Sequence, residues 1–110
     1  MFQINNDKIT VTRGDTGIIS LNLTQDDEPY EFSEGDKIVF SVKKKLKDTE
    51  YVLRKETTRD TIFLEHKDTD NIAPGNYYYD IEITYNTIQV ATIGPNKFIV
   101  KADVTREMND

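Results

Sequence analysis

A chain of 110 residues, 36% hydrophobic and 31% charged, is long enough to close one core, and its apolar residues fall in alternating runs. This excludes a disordered polymer and a second independent unit. A formal net charge of −6 opposes affinity driven by phosphate neutralisation, so nucleic acid is not an expected partner. With no cysteine there is no disulfide framework or thiolate metal site; no apolar run approaches the roughly 20 residues that cross a bilayer, so no membrane contact and no Sec-type signal are expected.

The periodicity is two almost throughout, which is the mark of strands. In "KITVT" Ile9 and Val11 share a face, and Ile19, Leu21 and Leu23 share a face of the next strand. Between them lies Arg13-Gly14-Asp15. An adhesive tripeptide needs an exposed loop tip, whereas Gly14 and Gly17 supply the positive φ of a turn, and a turn is expected. Gly35-Asp36 is a second turn of the same kind, its Asp capping local amides. "DKIVFSVKK" reads as a half-buried antiparallel strand with Ile38, Phe40 and Val42 inward and Val39, Ser41 and Lys43 outward. "YVLRKE" and "TIFLEH" are shorter strands, paired as a meander. A helical turn over Lys67 to Ile72 is expected before Pro74, with Asp68 as N-cap.

"NYYYDIEITY" carries the strongest pattern. Tyr77, Tyr79, Ile81, Ile83 and Tyr85 face a core, while Tyr78, Asp80, Glu82 and Thr84 face out. "TIQVATI" after Asn86 and "KFIVKADV" after Gly94-Pro95-Asn96 complete a three-stranded meander. About eight short strands at regular spacing predict an all-β fold, an antiparallel, immunoglobulin-like β-sandwich over residues 1–105 with a polar tail at 106–110.

Catalytic chemistry has little to work with. His66 is the sole histidine and falls at a strand end, and no serine stands in a nucleophile elbow, so no enzyme is expected. The acids of "QDDEP" and "DTDN", even with Asp80 near, lack the spacing of a calcium loop, and no metal or other cofactor is expected. The lysines Lys43 to Lys47 read as guards of an edge strand. Candidate interaction residues are the outward Tyr78 and Glu82, Tyr30 beside the "QDDEPY" turn, and Lys43 and Lys45.

In chain order, "ITVTRGDTGIISLNL", "PYEFSEGDKIVFSVKK", "APGNYYYDIEI" and "ATIGPNKFIVKADVT" together resemble small structural proteins of tailed bacteriophages and prophages, nearest to the N-terminal domain of phage baseplate upper proteins. The resemblance covers about residues 8 to 105. Its matching positions, Gly14, Asp15, Gly35, Asp36, Gly75, Tyr77, Tyr79, Asp80, Phe98 and Val100, are fold markers without catalytic content. The resemblance implies a non-enzymatic virion component, made in the bacterial cytoplasm, that docks to other tail or baseplate proteins and to further copies of itself. The longer baseplate proteins carry a receptor-reaching extension that these 110 residues do not contain. The alternatives are a carbohydrate-binding or adhesive module at a cell surface, and a small hydrolytic or metal-dependent enzyme around His66.

Overall fold

The computed structural model describes residues 2–4, 8–21, 23–85 and 89–103. Alternating apolar residues become ten strands there: β1 (Phe2–Ile4), β2 (Lys8–Thr12), β3 (Gly17–Ser20), β4 (Leu23–Gln25), β5 (Glu28–Pro29), β6 (Lys37–Lys43), β7 (Leu53–Thr57), β8 (Thr61–Leu64), β9 (Gly75–Tyr85) and β10 (Gln89–Lys101). One helical turn, α1 (His66–Thr69), precedes β9. The fold is all-β.

A five-stranded sheet runs β2-β10-β9-β6-β7; a two-stranded sheet pairs β3 with β8, and a three-stranded one runs β1-β4-β5. β9 is the axis of the large sheet, hydrogen-bonded to β10 on one side and β6 on the other. Its alternation is as the sequence predicts: Tyr77, Tyr79, Ile81 and Ile83 are buried, Tyr78 and Asp80 are half-buried, and Glu82 is exposed. They meet Ile38, Phe40, Val42, Phe98 and Val100 from the neighbouring strands and Ile19, Leu21, Leu23, Ile62 and Leu64 from the smaller sheets in one core. Phe40 stacks on Tyr79 at 5.3 Å and meets Phe98 edge-on at 5.9 Å. Each such aromatic pair contributes about 1 kcal/mol beyond the area it buries.

Several expectations are corrected. One pairing, β2 with β10, is parallel, so the large sheet is mixed: the chain enters beside its last strand running the same way. "YVLRKE" and "TIFLEH" do not form a meander, because β7 pairs with β6 and β8 with β3, in different sheets. The two strands expected after β9 are one strand, since both halves of β10 pair with β9 and the register shifts between Ile93 and Asn96 at the cis Gly94-Pro95 bond. Gly94 is required there. Its φ is +112°, and a Cβ would stand 3.1 Å from the carbonyl oxygen of Tyr79. The expected turn at Asn86 lies outside the described residues.

β6 is not half-buried and not an edge. Flanked by β7 and β9, it buries Val39 and Ser41 on its outer side as well as Ile38, Phe40 and Val42 within, so the lysines that follow it guard no edge. The "QDDEPY" turn is a two-residue hairpin loop in which Asp26 and Asp27 both take positive φ, 54° and 69°, the mirror-image geometry that suits strand twist. Asp36 does cap the amide of Ser33, at 2.9 Å.

The N-cap of α1 is Glu65 and not Asp68; Asp68 occupies the third helical position and reaches back to the Glu65 amide at 2.7 Å. Lys55 of β7 closes on the same carboxylate at 2.9 Å, tying the large sheet to the turn. Burial works to raise the Asp68 pKa, but the Glu65 amide and the Lys55 ammonium outweigh it and hold the group below its ordinary 3.8. A pKa lower in the folded than in the unfolded chain gives stability that is complete above the unfolded value and drains as pH falls through the folded one. Asp68→Asn is therefore expected to cost about 1–2 kcal/mol at neutral pH and to flatten the acid limb below pH ~4 in urea unfolding.

Candidate functional site

The register of β6 against β9 makes Lys43 the cross-strand partner of Tyr78, Ser41 that of Asp80, and Val39 that of Glu82. Period two then puts Lys43, Tyr78 and Glu82 on the outer face of the large sheet. Three of the five residues singled out from the sequence thus share one surface. At the Lys43 end of that face lies a cleft of about 250 Å³, lined by Ser41, Lys43, Leu46, Tyr51, Tyr78, Asp80 and Pro95.

Each wall has a local cause. The connection after β6 turns back on itself, with the Asp48 amide bonding to the Lys45 carbonyl at 3.0 Å and the Lys45 amide to the Asp48 carboxylate at 3.1 Å, and the Val52 amide then joins the Val42 carbonyl at 2.8 Å. That fold delivers Leu46 and Tyr51 beside the outer face, 57% and 46% exposed. Tyr51 is flanked by two cations, the Lys43 ammonium 5.1 Å and the Arg54 guanidinium 5.3 Å from its ring centre. Pro95 arrives from the irregularity of β10.

Asp80 lines this cleft with a pKa displaced from its ordinary value. Burial raises its pKa, the Lys43 ammonium opposes the rise, and Glu82 adds to it. The cleft so combines aromatic and aliphatic surface with a carboxylate, a hydroxyl and an ammonium. It can hold a planar or aliphatic group by contact and orient it by hydrogen bonds.

The other two candidates lie apart. Lys45 is exposed on the turn and uses its backbone to hold that turn. Tyr30 is half-buried near Tyr85, about 23 Å along β9 from Tyr78 at the rise of a strand. Its hydroxyl donates to the buried Asp36 carboxylate at 2.6 Å and its ring meets Phe32 edge-on at 5.1 Å. Burial, reinforced by Asp36, pushes its pKa up to about 12. Tyr30 closes a turn.

Asp80, Ser41, Tyr51, Leu46 and Pro95 were not among the candidates. Asp80 was legible, lying two residues from Tyr78 on the same face. Tyr51 carried no signal, since its place depends on how the preceding turn folds back.

The Arg13-Gly14-Asp15 segment is a turn, and it is fastened down. The Gly14 amide donates to the Thr69 hydroxyl at 2.9 Å, and His66 Nδ1 donates to the Gly14 carbonyl at 2.7 Å, a carbonyl being able only to accept. With φ at +84° and the His66 ring 3.4 Å from where a Cβ would stand, Gly14 is the residue this docking needs. His66 also lies 3.5 Å from the Asp70 carboxylate. Among the described residues, no group of three or more acidic, histidine or cysteine side chains is placed to hold a metal ion, and no helix is long and apolar enough to cross a membrane. No protein-family model matches this chain, and no curated protein matches it in sequence.

An ionised Asp80 in the cleft is a cost to the fold. Because its folded pKa lies above 3.8, the stability linked to its proton is complete below that value and lost as pH rises through the folded one. Asp80→Asn is expected to raise stability at neutral pH by less than about 1 kcal/mol, allowing for solvent screening, with the gain vanishing on acidification. Paired thermal melts at pH 7 and pH 3 read both.

Proposed function

We propose that this chain is a non-enzymatic structural component of a bacteriophage or prophage tail or baseplate, an immunoglobulin-like β-sandwich that works by docking to other proteins. The observation that carries the docking reading is the outer-face cleft. It concentrates Tyr51, Tyr78, Leu46 and Pro95 with Arg54 adjacent, and tyrosine and arginine are the residues enriched where proteins meet. A site that keeps a desolvated carboxylate at some cost to the fold is also what binding surfaces do.

The sandwich part of the proposal rests on topology. β10-β9-β6-β7 with β2 parallel to β10, faced by β3-β8, is an arrangement an immunoglobulin-like domain would have. Tyr77 near the start of β9 donates its hydroxyl to the Ala73 carbonyl at 2.6 Å, the tyrosine corner of such domains. Two residues on, where those domains place the second cysteine of their inter-sheet disulfide, stands Tyr79, buried and stacked on Phe40 of the neighbouring strand β6. The phage assignment itself comes from the sequence resemblance over residues 8 to 105. In a symmetric particle, many copies of a modest contact sum to firm attachment.

A carbohydrate-binding module is the second reading, favoured by one observation: Tyr51 and Tyr78 line the cleft together with Asp80 and Ser41, apolar faces beside hydrogen-bonding groups.

Tailed particles induced from cells carrying this sequence are expected to contain the chain in fixed stoichiometry by mass spectrometry, with labelled antibody at the tail. Its absence from purified particles sinks the virion reading. Tyr51→Ala with Tyr78→Ala is expected to weaken its attachment to the particle roughly tenfold or more, at hot-spot magnitudes. If the isolated domain instead binds glycans and the same pair of substitutions abolishes that, the second reading replaces the first.

A further inference from the structure

The register of the large sheet lays one row of side chains across four strands. Lys43 of β6 and Lys97 of β10 both pair with Tyr78 of β9, and Lys97 pairs in turn with Lys8 of β2. Their chain neighbours Val42, Phe98, Tyr77 and Ile9 are buried in the core, so all four members of the row lie on the outer face. At about 4.8 Å between strands, the row is about 14 Å long. It holds three lysines, one tyrosine and no carboxylate. Lys8 and Lys97 are exposed cross-strand neighbours of like charge, a pairing that costs stability. Lys101 is exposed on the same face beyond Lys97, and Lys44, Lys45 and Lys47 are exposed on the turn after β6.

The face changes sign along the strands. Further along β9, Val39 is flanked by Glu82 and Glu56. Past them, at the Tyr85 end, comes a segment of opposite charge. Between Arg13 and Lys37 the sequence has no basic side chain, and Asp27, Glu28, Glu31 and Glu34 are all exposed. Two contacts hold this segment at that end: the Tyr30 hydroxyl bonds to Asp36, and Lys37, the next residue, pairs with Thr84. Pro29, exposed among the acids, gives the segment an apolar surface to set against Tyr51 and Tyr78. Tyr78 and Tyr85 stand about 23 Å apart along β9, so one molecule cannot bring its own row and its own segment together.

We propose that the row of Lys8, Lys97, Tyr78 and Lys43 receives the acidic segment around Asp27 to Glu34 of a second copy of this chain. That contact depends on the docking role proposed for the outer face and gives it a specific partner. Each patch repels itself when left alone, and contact between copies relieves both at once. A foreign acidic partner would relieve the lysines and leave the acids as they were. The stretches outside the described residues offer no equivalent: residues 104–110 set Arg106 against Glu107 and Asp110, and residues 5–7 carry only Asp7. The contact is head to tail. Two different patches meet, so each added copy leaves one of each free, and growth continues into a ring or a filament.

Sedimentation velocity on the whole chain over a wide concentration range tests this. Mass is expected to climb with concentration at about 20 mM salt and to fall back to the monomer at about 500 mM, where charges are screened within a few ångströms. Lys8→Glu with Lys97→Glu, and separately Glu31→Lys with Glu34→Lys, are each expected to weaken self-association roughly tenfold or more while the variants still melt cooperatively. An equimolar mixture of the two is expected to stop at one-to-one pairs, because only the intact segment of the first and the intact row of the second still fit. A monomer at every concentration in low salt, association indifferent to salt or to either reversal, a closed dimer of the parent chain, or a mixture that stays monomeric overturns the proposal. A low-salt monomer that binds polyglutamate through Lys8 and Lys97 overturns it by making a foreign acidic partner the occupant. Particle attachment that Tyr51→Ala with Tyr78→Ala weakens, in a chain that never self-associates, sinks the second copy and keeps the docking reading. Self-association by a chain absent from particles does the reverse.

Discussion

The double pairing of β9 is the constraint on which the rest depends. Eleven residues long and hydrogen-bonded on both sides, it sends Tyr77, Tyr79, Ile81 and Ile83 inward and Tyr78, Asp80 and Glu82 outward. A slip of one residue would exchange the two sets. Two carboxylates would then enter the core without partners, a penalty of several kcal/mol each, while large aromatic and aliphatic surfaces would return to water. Register is therefore set by burial, and every cross-strand neighbour on the outer face inherits it. Lys43 stands opposite Tyr78 because Val42 and Tyr79 had to be inside.

That inheritance explains why one face of the large sheet is chemically mixed while lying over a fully packed core. β6 buries residues on both sides, so the outer face near Val39 and Ser41 is drier than an ordinary solvated sheet surface. Asp80 feels this dryness first, as desolvation, and only then the charges of Lys43 and Glu82. Packing inside and electrostatics outside are consequences of the same strand pairing. The cleft adds to this a turn that carries Tyr51 and Leu46 up beside the sheet, where two cations crowd the tyrosine ring.

At the other side of the molecule, polar bonds join parts that strand pairing leaves separate. The β7 edge of the large sheet is linked to α1 through Lys55 and Asp68, and α1 is linked to the turn between β2 and β3 through Thr69, His66 and Gly14. His66 and the Arg13-Gly14-Asp15 segment, the two features that most invite a functional reading from sequence, are spent on this linkage.

The sequence by itself determined which residues alternate, and so the all-β class, the inward Tyr77 and Tyr79, the outward Tyr78 and Glu82, and the turns at Gly14 and Gly35, because period two and backbone freedom are local properties. It did not determine partners. That β7 and β8 belong to different sheets, that β2 runs parallel to β10, that β6 is central, and that β10 is one strand through Gly94-Pro95 were settled by which apolar faces could share one core. Asp80 was legible in its face and illegible in its desolvation, which comes from strands distant in the chain. Tyr30 showed an aromatic ring beside a turn, and only the tertiary structure brought its hydroxyl to Asp36. Tyr51 could not be read at all, because a side chain delivered by a folded-back turn carries no periodicity, and its place is decided only when the sheet beneath it exists.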